Sequence, residues 1–167
     1  TVWFISNVSS CHAMANLLKK KINSNVFGDY KIIVAAGEDA GIGIKALEPL
    51  KKVMNDPQKT KTITLTCMKL LTGVTIKPWT GILMLKNLSS PETYFQAAFR
   101  VQSPWTVKDY ENKLDNNERI LKDICYIFDF APVRALKQIA DYSIRLSTKE
   151  ENVENKINEF LSFLPVL

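Results

Sequence analysis

Residues 81–102 read GILMLKNLSSPETYFQAAFRVQ, and the fold follows from how the two halves of this stretch differ. Gly81 through Leu85 is continuously apolar, as expected of a strand buried on both faces of a sheet rather than on one. Ser90 is an N-cap residue with Pro91 at the first helical position, where a missing N–H costs nothing, so a helix is expected through about Gln102. A doubly covered strand that leads straight into a helix is half of a strand–helix–strand unit.

Working outward, the same unit recurs. Upstream, residues 62–67 (TITLTC) alternate threonine with apolar residues as a strand. Residues 30–36 (YKIIVAA) form another, ended by Gly37. Between them residues 45–55 carry Leu47, Leu50, Val53 and Met54 on one helical face before Asp56-Pro57 stops the helix. The chain opens on a short apolar strand, residues 2–5. Ser9 and Ser10 can cap a following helix marked by Ala13, Leu17 and Leu18. Downstream, residues 124–130 (ICYIFDF) are a fifth strand, and Pro132 opens a helix to about Leu146. This alternation implies an α/β fold: a doubly wound, parallel sheet of about five or six strands with helices on both faces. Residues 1–147 are expected to form one lobe. Residues 106–122 are polar and charged, and read as a surface insertion, part loop and part helix. Residues 148–167 place Val153, Ile157, Phe160 and Leu161 on one face of a C-terminal amphipathic helix that leads toward a further region.

Composition sets limits on function. At 167 residues and 46% hydrophobic content the chain has room for one core. Lys and Arg number 22 against 17 Asp and Glu, a net charge of +5, which permits a polyanionic partner without requiring one. Cys11, Cys67 and Cys125 lie far apart, with neither zinc-knuckle nor disulfide spacing, and suit a reducing cytoplasm. The apolar runs fall short of the roughly 20 residues of a membrane span. The chain enters a strand directly after Thr1 and closes on apolar residues 160–167, so it reads as a piece of a longer protein.

Several chemistries have no foothold. There is no GxxxxGK[ST] phosphate loop, no DExx box, no GxSxG elbow, and a single histidine. The chain is not expected to hydrolyse a nucleotide alone. Its most specific stretch is residues 64–103, TLTCMKLLTGVTIKPWTGILMLKNLSSPETYFQAAFRVQS. Leu71-Thr72-Gly73-Val74-Thr75 is followed by a strand and then by a helix with Gln96 and Arg100 four residues apart, hence on one helical face. Order and spacing resemble motifs V and VI in the second RecA-like lobe of superfamily 2 helicases and translocases, especially the restriction-type motors. Phe4-Ile5-Ser6-Asn7 with His12 and Leu17 resembles motif IV of the same lobe.

The resemblance implies a division of labour. Arg100 and Gln96 would be catalytic, the arginine neutralising charge on the phosphoryl group of an ATP that a separate P-loop lobe holds together with Mg²⁺. Gly73 and Thr75 would meet the nucleotide. Ser6, Asn7, His12, Gly37, Thr66 and Thr72 would meet nucleic acid, expected to be DNA, at strand ends and at a helix N-terminus. The motor interpretation rests on Gln96 and Arg100 being presented outside the domain's own core, at the edge where the carboxyl ends of the strands emerge. The sequence departs from the family pattern in three places: Phe99 stands where glycine is usual, Ser103 where a second arginine would fall, and Thr75 where many relatives have aspartate. A single finger, Arg100, remains.

Each signal has a plainer alternative. Arg100 could be an ordinary surface arginine, Gly73 a turn glycine, His12 a capping or packing residue, and Thr66 a β-former on a strand face. Trp79 reads as packing, while Trp105 fits packing or base stacking equally. Asp129, in the run Phe128-Asp129-Phe130-Ala131-Pro132 with Arg134 beyond, either caps the next helix or belongs to a site. This run also resembles restriction-type relatives but suggests no role. Two other functions stay open: a non-enzymatic Rossmann-like binding or assembly module, and a small-molecule enzyme of doubly wound fold, which would need a pocket with acid or base groups.

Overall fold

The computed structural model describes residues 1–37, 48–67, 75–108 and 118–146, and residues 152, 154, 155, 158, 159 and 162. Five strands form one parallel sheet: β1 (Val2–Phe4), β2 (Lys31–Ala35), β3 (Thr62–Thr66), β4 (Gly81–Met84) and a fifth strand, Tyr126–Asp129. Two further strands, β5 (Trp105–Lys108) and β6 (Glu118–Lys122), pair antiparallel as a separate ribbon, so Tyr126–Asp129 is β7. The order across the sheet is β2-β3-β1-β4-β7, with β1 at the centre between β3 and β4. The expected α/β class with a parallel, helix-flanked sheet is what the structure has.

Helices occupy the connections. They are α1 (Val8–Leu18), a single turn α2 (Ser24–Phe27), α3 (Glu48–Val53), α4 (Pro91–Ala98) and α5 (Pro132–Leu146). Successive strand residues point to opposite faces, so the strands feed two cores. On one face Val2, Phe4, Ile33, Ala35, Ile82 and Met84 pack with Leu50 of α3, Phe95 of α4 and Trp79. On the other, Ile63 and Leu65 pack with Cys11, Ala15 and Leu18 of α1. β4 is buried almost throughout because it lies between β1 and β7 and has side chains in a packed layer. Its unbroken apolar run is the sequence counterpart of that position. At the edge, β7 exposes Tyr126 and Phe128, whose rings stack at 6.0 Å.

Two local expectations are corrected. The cap of α1 is Asn7, not Ser9 or Ser10: its Oδ1 accepts the Ser10 backbone N–H at 2.8 Å, and the helix starts at Val8. Asn7 is extended at φ −153°, the geometry an N-cap needs, and replacing it by alanine should cost about 1 kcal/mol in urea unfolding. The second concerns residues 106–122, whose described parts are strand, with no helix among them. Trp105 pairs with Lys122 and Lys108 with Glu118, with an irregularity between Trp105 and Thr106. A two-stranded ribbon outside the main sheet exposes much of both faces, so its charges give no apolar period to read. Most of the expected C-terminal helix, residues 148–167, lies outside the described residues.

Candidate functional site

Parallel strands bring their carboxyl ends to one edge, and the register shows which residues meet there. Phe4 and Ala35 are both opposite Thr66, and Ile5 N–H donates to Thr66 O at 2.8 Å. Ser6 and Asn7 therefore sit beside the end of β3, with Gly37 two residues past the end of β2. Gly37 has φ +83°, and a Cβ there would lie 3.2 Å from Val8 Cγ1, so this turn both favours glycine and abuts the start of α1. Ser6, Asn7 and His12 are exposed. Asn7 Nδ2 and Ser6 Oγ lie 3.4 Å apart, as do Ser6 Oγ and Ser10 Oγ. Hydroxyl, amide and helix N-terminal groups at one edge can donate to a phosphate oxygen.

Thr66 departs from its expected role. Its side chain is buried and its hydroxyl donates to Ala35 O at 3.0 Å, so it ties β3 to β2 instead of facing a ligand. Thr66→Val should lose about 1 kcal/mol of stability and leave nucleic-acid affinity unchanged in a titration with labelled oligonucleotide. Thr72 and Gly73 fall outside the described residues. Thr75 is exposed immediately before the buried Ile76. Cys11, in the first turn of α1, is fully buried, and burial beside Cys67 pushes its thiol up to about 12. It remains protonated at neutral pH and is no nucleophile.

The catalytic candidates lie on α4 and the turn after it. Ser90 caps α4 through Oγ, which accepts the Thr93 backbone N–H at 3.4 Å, and Pro91 opens the helix as its sequence implies. Apolar residues Tyr94, Phe95, Ala97 and Ala98 bury one side, leaving Gln96 exposed. Beyond Ala98 the helix tightens to a 3-10 turn, Phe99–Val101. Residues advance by roughly 120° each in such a turn against roughly 100° in an α-helix, so Arg100 is swung away from Gln96 by about 40° more than a continuous helix would give. The tightening fits their environments, since Arg100 is half-buried and Gln96 is not. Phe99, where the family has glycine, is 39% exposed beside them, its ring 5.6 Å from that of Phe95.

Neither side chain is in the core, but the pair is not at the carboxyl edge. Lys122 Nζ donates to Val101 O at 2.7 Å, Trp79 O at 2.9 Å and Lys77 O at 3.0 Å. Lys77 and Trp79 lead into β4, so the turn that carries Arg100 is fastened to the amino-terminal margin of that strand. This corrects the expected placement. The two margins are close, because four residues of strand rise only about 13 Å. A phosphate that reaches Arg100 must approach the flank of α4, while the strand-end groups face a different direction. Near the same margin a depression of about 480 Å³ is lined by Tyr30, Lys61, Trp105 and Arg119 among others. Trp105 is half-buried there, whereas Trp79 is 1% exposed and is packing, as read.

Sequence reasoning gave no role to two polar clusters. One is the Lys122 clamp, whose partners are backbone carbonyls and leave no trace in side-chain patterns. The other is centred on Asp129, at the end of β7 and just before α5. Its Oδ1 accepts the Ala131 backbone N–H at 2.8 Å, and accepts from Arg134 Nη2 at 2.5 Å. Arg134 Nη1 donates to Asn87 Oδ1 at 3.2 Å. Burial and the neighbouring Asp129 carboxylate push the Tyr94 phenol above its ordinary range. Among the described residues no group of three or more His, Cys, Asp or Glu could hold a metal ion, and no helix is long and apolar enough to cross a membrane.

No family model matches the chain. Over 161 residues the chain is 35% identical to a protein of Mycoplasma pneumoniae named "Putative type II restriction enzyme and methyltransferase C-terminus". The match takes in 94% of this chain and 21% of that protein, so the chain spans about a fifth of the relative's length. The likeness agrees with the restriction-enzyme part of the resemblance and does not reach the motor part.

Proposed function

We propose that this chain is the second motor lobe of a DNA-dependent ATPase in a restriction or phage-defence system. The observation that carries the proposal is that Gln96, on the helix that follows β4, and Arg100, in the 3-10 turn after that helix, both lie outside the core, at the amino-terminal margin of the sheet and not at the carboxyl edge that the resemblance implies. Similarity along nearly its whole length to a restriction-system protein supports the setting. In this reading a P-loop lobe of the same parent chain binds ATP and Mg²⁺ and closes on the flank of α4. The described residues of this chain have no carboxylate cluster fitted to a metal, and none is assigned to it. Arg100 offers a guanidinium to charge developing on the transferred phosphoryl group, and Gln96 a neutral amide beside it.

Ser6, Asn7 and the α1 N-terminus would take a DNA phosphate at the carboxyl edge, with His12 in the next turn and Gly37 facing the same loop. Thr72 and Gly73 belong to the same assignment through the resemblance, as does Thr75 for the nucleotide. DNA and triphosphate would thus meet separate surfaces of one lobe, an arrangement in which closure on one can be felt at the other through α4 and β4. The parent's DNA-stimulated ATPase with Arg100→Ala tests this. Unchanged turnover would leave the binding or assembly module as the better account, and that account gains some ground from the position of Arg100 away from the carboxyl edge.

A further inference from the structure

The Asp129–Arg134 pair is more buried than a surface ion pair and more polar than packing requires. The Asp129 side chain is 5% exposed and that of Arg134 19%. Taking two charges out of water is expensive, and an apolar pair of similar volume could hold α5 against β7 at least as well. A guanidinium adds direction, because its planar fork can fix two partners at once. Here one nitrogen is rooted on Asp129 at the end of β7, and another reaches Asn87 in the connection between β4 and α4.

Three more contacts follow the same helix. The Tyr94 hydroxyl lies beside the Asp129 carboxylate, the rings of Phe95 and Tyr142 are 4.5 Å apart, and Arg145 at the end of α5 pairs with Glu92. α5 and the end of β7 thus back α4 from its entry to its middle, and Lys122 fastens the turn at its end. We propose that Arg134 is a positioning residue: it holds Asn87, and through the β4–α4 connection it sets where α4 presents Gln96 and Arg100. This rests on the motor reading, and it gives a role to the run at residues 128–134 that the sequence singles out.

The test uses the full parent protein, with kcat and KM for ATP measured in saturating DNA. Asn87 is exposed, so Asn87→Ala cuts the brace without opening the core, and Arg134→Lys keeps the charge but loses the fork. Displacing a reacting group by about 1 Å costs on the order of 100-fold, so both variants should lower kcat by roughly 10- to 100-fold with KM within about twofold. Neither should lower the residual turnover of Arg100→Ala any further, because Arg134 acts through the finger. Full kcat in both variants overturns the proposal, and so does an equal fractional loss in the Arg100→Ala background, the mark of a general structural defect. Arg100→Ala with wild-type turnover removes the motor reading and this inference together. A strong effect of Arg100→Ala with none from the brace variants removes this inference alone.

Discussion

Arg100→Ala in the parent protein is expected to reduce DNA-stimulated ATP turnover by about 10³- to 10⁵-fold, the range seen when a finger arginine is withheld from a phosphoryl transfer. The loss should fall on kcat. The guanidinium matters most where charge has moved onto the equatorial oxygens, so ground-state affinity for ATP should change far less than the rate. Arg100→Lys should restore little of it. Lysine is a compact point charge without a planar fork, and at the end of a tightened turn it starts from a backbone already rotated away from Gln96. DNA affinity should be unaffected, because Ser6, Asn7 and the start of α1 lie at the opposite margin of the sheet from the turn. Single-turnover hydrolysis with and without DNA, beside an anisotropy titration of a labelled duplex, separates these effects. A loss of DNA affinity in step with turnover would show that one surface serves both ligands and would sink the two-surface arrangement.

The sheet was legible because its strands carry the signal that burial imposes. The run 81–85 is apolar throughout because β4 has a neighbour on each side, and the alternation at 62–66 marks a strand even though all of β3 is buried, its threonines included. Serine followed by proline gave the start of α4 to the residue. The ribbon of β5 and β6 was not legible, since its strands are separated by nine residues and face much solvent. The site was half legible. Spacing put Gln96 and Arg100 on one helical face, whereas α4 ends at Ala98 and Arg100 falls in the 3-10 turn after it, at the margin that Lys122 ties down. Thr66 was misread for a related reason: being near a strand end suggests a ligand contact, whereas its hydroxyl is used by Ala35 O across the sheet. Asp129 and Arg134 are five residues apart, a spacing that no helical or strand period brings together. They meet because Asp129 ends a strand and Arg134 lies in the first turn of the helix after it.

That pair allows stability and function to be separated. Asp129→Ala strands the Arg134 guanidinium in a site where it is 19% exposed and removes the acceptor of the Ala131 N–H, and a loss of about 3 to 5 kcal/mol is expected in urea unfolding. The double variant Asp129→Leu with Arg134→Met replaces both charges by apolar groups of similar length and should recover most of the stability, because no charge is then left buried alone. What it should not recover is turnover: Asn87 no longer has a guanidinium to hold it, and the connection to α4 is free to shift. A double variant that folds as firmly as the wild type yet hydrolyses ATP at the Asn87→Ala rate would separate the cost of burying the pair from its use. If stability and turnover instead return together, the ion pair is no more than packing, and the direction supplied by the guanidinium fork has no bearing on where Arg100 is held.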